Sequence, residues 1–331
     1  MNFKVSVIIP VYNAENFLEK SVMSAVNLKQ VGEIILIEDC SPDHALDVAL
    51  RLEKEFDKVK VYQHPDKGNY GAGASRNLGI KMASYPFISF LDADDYYLPN
   101  RFSTDEEIFM TIKNCDGVYN AVGTFFKTEK AKQTFFDGGW GYQEILTLNN
   151  PVEPEDLFSV LFHQDSNVKG EFHTNGITLK KTVFEKVGFF NTKLRLRQDI
   201  HLWRRLAGFC NLYSGEIGDP VAMRVIHDEN RMTKRKDHLQ YIDIWWQSLK
   251  DEFKIKGLDK NKYAIFEQAY FNHYAGDKNK FKAFKALLMN VINKPKLFAE
   301  SYGNFDFNFW KVFGKNKWTI KFISFKNKLF T

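Results

Sequence analysis

Three carboxylates crowd into four positions, Asp92, Asp94 and Asp95, at the end of FISFLDADD (87–95). Like charges this close repel and raise one another's pKa, so a folded chain keeps them only where a cation lies between them or water covers them. In an extended exit from a strand, Asp92 and Asp94 leave on the same side. Such a pair suits a hard divalent cation, which takes oxygens from one or two carboxylates and completes its shell with phosphate oxygens. For an isolated DxDD, a solvated turn that caps the next helix is the competing reading, because the motif is short. Arg76, in GAGASRN (71–77), is a second chemical candidate. A guanidinium early in a helix that follows glycines can approach a phosphate or clamp one of these aspartates.

The elements that must hold these groups are legible from apolar runs. Residues 5–9 (VSVII), 34–37 (IILI), 59–62 (VKVY) and 87–91 (FISFL) are short and uninterrupted, the pattern of strands buried on both faces of a parallel sheet. Helical spacing separates them. Asn13 is placed to cap a helix with Leu18, Val22 and Val26 on one face, and Leu46, Ala49 and Leu50 mark a second. GNYGAGASRNLGIKMA (68–83) reads as a glycine turn entering a third helix. This alternation predicts an α/β, Rossmann-like sheet, which binds ligands beyond the carboxyl ends of its strands. PVYN, EDCSPD, GAGASRN and FLDADD all fall at that edge. Further on, 118–126 reads as a strand, 136–156 as a loop, 175–190 as a strand and short helix, and Gln198 onward as a helix; beyond 236 the chain is helical in character, including 278–293.

Together VSVIIPVYNAENFLEKSVMSAV (5–26), EIILIEDCSPD (33–43), GAGASRNLGI (71–80) and FISFLDADD (87–95) resemble the nucleotide-sugar-binding half of a GT-A glycosyltransferase of the inverting family 2. GFFNTKLRLRQDIHLWRRLA (188–207) resembles the family's acceptor-side segment, with Gln198 in place of the first acid of its acidic pair. Glu38 likewise stands where Asp is usual. The resemblance implies a GT-A domain over 1–235, divided into a nucleotide-binding half (1–100) and an acceptor half (101–235), with a helical, basic-aromatic extension over 236–331. It implies that Pro10, Tyr12 and Asn13 line the base and ribose pocket and that Asp39 accepts from the nucleobase ring N–H, as uracil would offer. Arg76 and Asp92 complete the donor site. Asp92, Asp94 and His227 would hold a divalent metal, Mn2+ or Mg2+, with Arg224 and Arg231 adding charge. Asp199 would be the general base that takes the acceptor hydroxyl's proton, its ionised form favoured by the positive end of its helix. The expected reaction moves one hexose from a UDP-sugar to a hydroxyl of a glycan or lipid-linked acceptor, in bacterial polysaccharide or lipooligosaccharide assembly.

Bulk composition narrows the alternatives. The 331 residues are 44% hydrophobic, enough for a large core, and three scattered cysteines fit a reducing, cytoplasmic setting. No run approaches the length of a membrane span. Charge is unevenly divided: from Tyr274 onward there are 12 Lys, no Arg and three acids, a net +9, against −4 for the first 273 residues. Residues 309–331 interleave six Lys with Phe and Trp and no acid. That composition suits peripheral contact with an anionic membrane at its inner face, or packing of the aromatics on preceding helices with the lysines solvated. It contains no Arg and no nucleic-acid module. Two other functions compete: a sugar nucleotidyltransferase, which would carry a basic Gly-rich loop where PVYNAENF stands, and a non-catalytic binding module, which Gln198 favours. Donor sugar, acceptor, linkage and oligomeric state have no readable motif.

Overall fold

A computed structural model describes residues 3–137, 145–162, 168, 170–227 and 241–276. The expectations for 138–144, Arg231, 278–293 and 309–331 lie outside these residues. The chain divides into two compact units, Met1–Leu161 with Asp165–Glu252, and Phe162–Gln164 with Phe253–Thr331.

The first unit opens with strand and helix in strict alternation: β1 (Val5–Val11), α1 (Leu18–Val26), β2 (Val31–Glu38), α2 (Ala45–Glu55), β3 (Val59–Gln63), α3 (Ala72–Met82) and β4 (Phe87–Phe90). It continues through β5 (Tyr96–Tyr97), α4 (Ser103–Thr111), β6 (Gly117–Tyr119), β7 (Val122–Phe126), α5 (Glu129–Asp137) and α6 (Leu157–Leu161). A 3-10 turn (Thr174–Gly176) then precedes β8 (Ile177–Lys180), α7 (Val183–Val187), α8 (Gln198–Phe209), β9 (Leu212–Ser214) and β10 (Ala222–Ile226). Helices α9 (Ile242–Ile255) and α10 (Lys260–Gly276) close the described chain.

Seven strands form one sheet in the order β3-β2-β1-β4-β8-β6-β9. β1 runs parallel to β2 and β4, and β2 to β3, while β8 is antiparallel to both of its neighbours. This is the mostly parallel, helix-flanked α/β sheet that the alternation predicts. β1 lacks polar alternation because both of its faces are covered. Val7 and Ile9 join Leu18 and Val22 of α1 in one core, whereas Ile8 meets α3 on the other side. There Gly79 lies so close that an added Cβ would collide with Ile8 Cγ2.

Two expected elements differ. Asn13 does not cap α1: it sits in a left-handed turn (φ 52°), its N–H donates to Ser41 Oγ at 2.7 Å, and α1 begins only at Leu18. The run 118–126 is two strands in two sheets, because β7 joins β10 and β5 in a separate three-stranded sheet. That second sheet places the carboxylates, since β10 lies antiparallel to β5, directly after Asp95, with Met223 opposite Tyr96.

Candidate active site

The three aspartates do not leave β4 in an extended conformation. Asp95 N–H donates to the Asp92 carbonyl at 3.0 Å, so the segment turns and each carboxylate takes a different direction. Asp92 Oδ1 accepts from Arg76 at 2.6 Å. Asp94 Oδ2 lies 3.1 Å from His227 Nε2, at the end of β10. Asp95 points into the protein, where its two oxygens accept from Asn175 Nδ2 at 2.6 Å and Val225 N–H at 2.7 Å. Each carboxylate of the triplet thus has partners of its own.

The electrostatics follow that division. Burial disfavours ionisation of Asp92, but the Arg76 guanidinium beside it, by its charge and its hydrogen bond, holds its carboxyl below the usual range. Asp95 goes the other way: burial, then the charges of Asp94 and Asp92, push it well above that range. Asp95 is a structural pin. It ties the aspartate turn to β10 and to the 3-10 turn before β8.

Asn175, which the sequence reading missed, supports this arrangement from behind. It is fully buried; its Oδ1 accepts from Asp92 N–H at 3.0 Å while its Nδ2 serves Asp95. Its own carbonyl accepts from Arg101 Nε at 2.8 Å. Arg101 pairs with Asp105 at 2.9 Å, both wholly inaccessible to water. The polar run EFHTNG (171–176) just before the apolar ITL was the available signal, since a buried strand entered by His, Thr and Asn requires partners for those groups.

On the nucleotide side, Asp39 is buried at the end of β2 and receives the loop before α3: Oδ1 accepts Tyr70 N–H and Oδ2 accepts Gly71 N–H, each at 2.7 Å. His64 Nε2 stands 3.4 Å from Oδ1. Gly71 is required here, since its φ is +83° and the Arg195 guanidinium lies 3.3 Å from where a Cβ would be. Pro10 lies near the end of β1, partly exposed, and Tyr12 is 40% exposed just beyond it. Glu38 serves the same edge from below, accepting from Ser41 N–H at 2.5 Å and Gln63 Nε2 at 2.7 Å.

Asp199 lies in the first turn of α8, half-buried, and its Oδ1 accepts Ile200 N–H at 2.8 Å. Burial pushes its carboxyl up; the negative charges of Asp92 and Glu171 add to this, against the Ile200 N–H and the Arg76 charge. The helix terminus therefore does not dominate, contrary to the expectation above, and Asp199 is a stronger base than an ordinary aspartate. Its field is shared with Asp92 and Arg76, so α8, α3 and the end of β4 converge. Gln198 contributes directly to that convergence, because its Oε1 occupies the space a Cβ on Gly73 would need.

Residues 6–132 match the family model "Glycosyl transferase family 2". Over that stretch the chain is similar to the family 2 glycosyltransferases. A Campylobacter jejuni protein named GalNAc(5)-diNAcBac-PP-undecaprenol beta-1,3-glucosyltransferase is 28% identical over 71% of this chain and 78% of its own length. An uncharacterised glycosyltransferase of Rickettsia conorii is 27% identical over 75% of the chain. The match spans only 38% of that protein's length, so the relative is much the longer. A Bacillus spizizenii poly(ribitol-phosphate) beta-glucosyltransferase is 38% identical over 28% of the chain and 15% of itself. Among solved structures, S. aureus TarS 1-349 has a TM-score of 0.58 at 16% identity, covering 93% of this chain and 81% of that one. The same protein solved with UDP-GlcNAc gives 0.61 at 15% identity. The fold is therefore GT-A.

Among the described residues no three His, Cys, Asp or Glu side chains form a ready-made metal cluster. By residue type alone, the two carboxylates and the imidazole of Asp92, Asp94 and His227 are what a divalent ion that draws much of its shell from a diphosphate takes from protein. No helix among the described residues is long and apolar enough to cross a membrane.

Proposed function

We propose that this protein is an inverting, metal-dependent glycosyltransferase that moves a single sugar from a UDP-sugar to a hydroxyl of a glycan or lipid-linked acceptor. One observation carries the reading: Arg76 of α3 holds Asp92 at 2.6 Å at the ligand-binding edge of the sheet, and Gln198, the neighbour of Asp199, packs on Gly73 of the same helix. A base for the acceptor and an anchor for the donor are thereby adjacent. UDP-GlcNAc bound to TarS and the named C. jejuni and B. spizizenii relatives support the donor and acceptor classes.

In this mechanism Pro10, Tyr12 and Asn13 border the nucleoside, and Asp39 both orders the 69–71 loop and reads the base. Arg76 fixes Asp92. Asp92, Asp94 and His227 would hold a divalent ion, Mn2+ or Mg2+, which when bound supplies Lewis-acid stabilisation of the departing diphosphate. Asp199 takes the proton from the attacking acceptor hydroxyl. That hydroxyl forms a bond to the anomeric carbon as the bond to the diphosphate oxygen breaks, and a single displacement of this kind inverts the centre. The basic-aromatic sequence 309–331 fits an enzyme that works at the inner face of a membrane on a lipid-linked acceptor.

The test is turnover of a panel of nucleotide sugars with and without manganese, comparing the wild type with Asp94→Ala and Asp199→Ala. The reading requires one donor consumed in a metal-dependent way and suppression by both substitutions. A donor that binds but is never turned over, even with lipid-linked glycan acceptors supplied, would instead favour a binding module.

A further inference from the structure

His173 takes no part in the mechanism above, yet it lies among the groups that do. It precedes the 3-10 turn, and its Nδ1 accepts the N–H of Asn175 at 3.3 Å. A ring nitrogen that accepts a backbone N–H carries no proton of its own, so the proton of the neutral imidazole is on Nε2. No group among the described residues takes that Nε2–H as a donor, and the ring is only half-buried. The same Asn175 whose N–H it accepts holds the Asp92 N–H on its Oδ1, so one residue links the imidazole to the donor anchor. Burial first, then Arg224 and Arg76 against the opposing pull of Asp92, lower its pKa to about 4, so at neutral pH it is an uncharged donor.

Arg76, paired with Asp92, already supplies positive charge at this edge. A diphosphate is better served by that charge than by a neutral ring, whereas an uncharged N–H suits an uncharged partner. We propose that His173 is a specificity-determining residue whose Nε2–H donates to a hydroxyl of the donor's sugar. The inference rests on the glycosyltransferase reading. In it, the 3-10 turn has two functions: Asn175 sets the backbone and carboxylates of the aspartate turn, and His173 meets the sugar that those carboxylates help to deliver.

The capping and donating functions of His173 separate in one variant. In His173→Asn, the Asn Oδ1 can replace Nδ1 as the acceptor for Asn175 N–H, and Asn is itself a favourable cap, but the Nε2–H is gone. Calorimetric titration of the wild type and this variant with UDP, UDP-glucose and UDP-GlcNAc in the presence of manganese reads the difference. The expected result is UDP affinity unchanged within about twofold, with the preferred UDP-sugar bound roughly 3- to 30-fold more weakly, the range for losing one hydrogen bond and leaving its partner unpaired. His173→Gln, whose amide N–H reaches further than that of Asn, should recover part of the loss. Equal weakening for UDP and UDP-sugar would mean that His173 serves the diphosphate or the fold, and unchanged sugar binding would leave it only a cap; either overturns the inference. A wild type that binds neither UDP nor any UDP-sugar overturns the glycosyltransferase reading, and this inference with it.

Discussion

Asp199 and Asp95 are both aspartates pushed up by burial, and their different surroundings give them different work. Asp95 has a donor on each oxygen and is spent on structure. Among the described residues the hydrogen bond shown for Asp199 is from its neighbour's N–H, on one oxygen, which leaves the carboxylate capacity to accept a proton. Because a base must be ionised to act, activity should fall as pH drops through its raised pKa. The acid limb of kcat/KM should therefore lie above 3.8, the ordinary aspartate value. Asp199→Asn should lower kcat/KM by about 10²- to 10⁴-fold and remove that limb, measured as donor turnover against pH. His227 tests the other side of the site. It stacks on Phe17 with ring centroids 4.6 Å apart and contacts Asp94, so it is held without a role in the main core. His227→Ala should keep the circular dichroism and melting of the wild type but lose the manganese stimulation of turnover; retained stimulation would remove His227 from the ligand set.

At the scale of elements, the buried pair Arg101–Asp105 joins α4 to three strands and to the turn that holds Asn175. Arg101 donates to Ser89 Oγ on β4, Ile177 carbonyl and Thr178 Oγ1 on β8, and the Asn175 carbonyl, while Asp105 accepts from Asn120 just after β6. Removing one partner of such a pair strands a charge away from water. Asp105→Ala should therefore cost about 3–5 kcal/mol in urea unfolding, while a conservative substitution on an exposed helix face does not. The same elements explain why the carboxylate site was only half legible. The buried strands and the helix spacing between them announce the parallel sheet and its ligand edge, so Asp92 and Asp94 were correctly placed at a strand mouth. Their divergence depends on β5 pairing with β10, which comes more than a hundred residues later and has no local pattern that names its partner.

For the whole molecule, charge is segregated along the chain, with the excess of Lys in the last part. If 309–331 attaches the protein to an anionic surface, full-length protein should float with phosphatidylglycerol-containing vesicles and lose that binding as salt is raised. Deleting 309–331 should abolish flotation while leaving hydrolysis of soluble donor intact, and equal flotation of the deleted form would remove the tail from membrane contact.

By itself the sequence determined the sheet class, its first four strands with the helices between them, and the edge at which Asp39, Arg76 and Asp92 lie. Those are consequences of local periodicity and of short motifs that hold their meaning within a few dozen residues. Only the tertiary structure decided that Asp95 is a pin, that burial pushes the Asp199 carboxyl up against the pull of its helix end, and that Asn175 holds the aspartate turn from behind. Each of these depends on desolvation and on partners far away in the chain, such as the 83 residues between Asp92 and Asn175. A side chain's identity says what it can donate or accept; its burial and its partners, which only folding brings together, determine which of those it does.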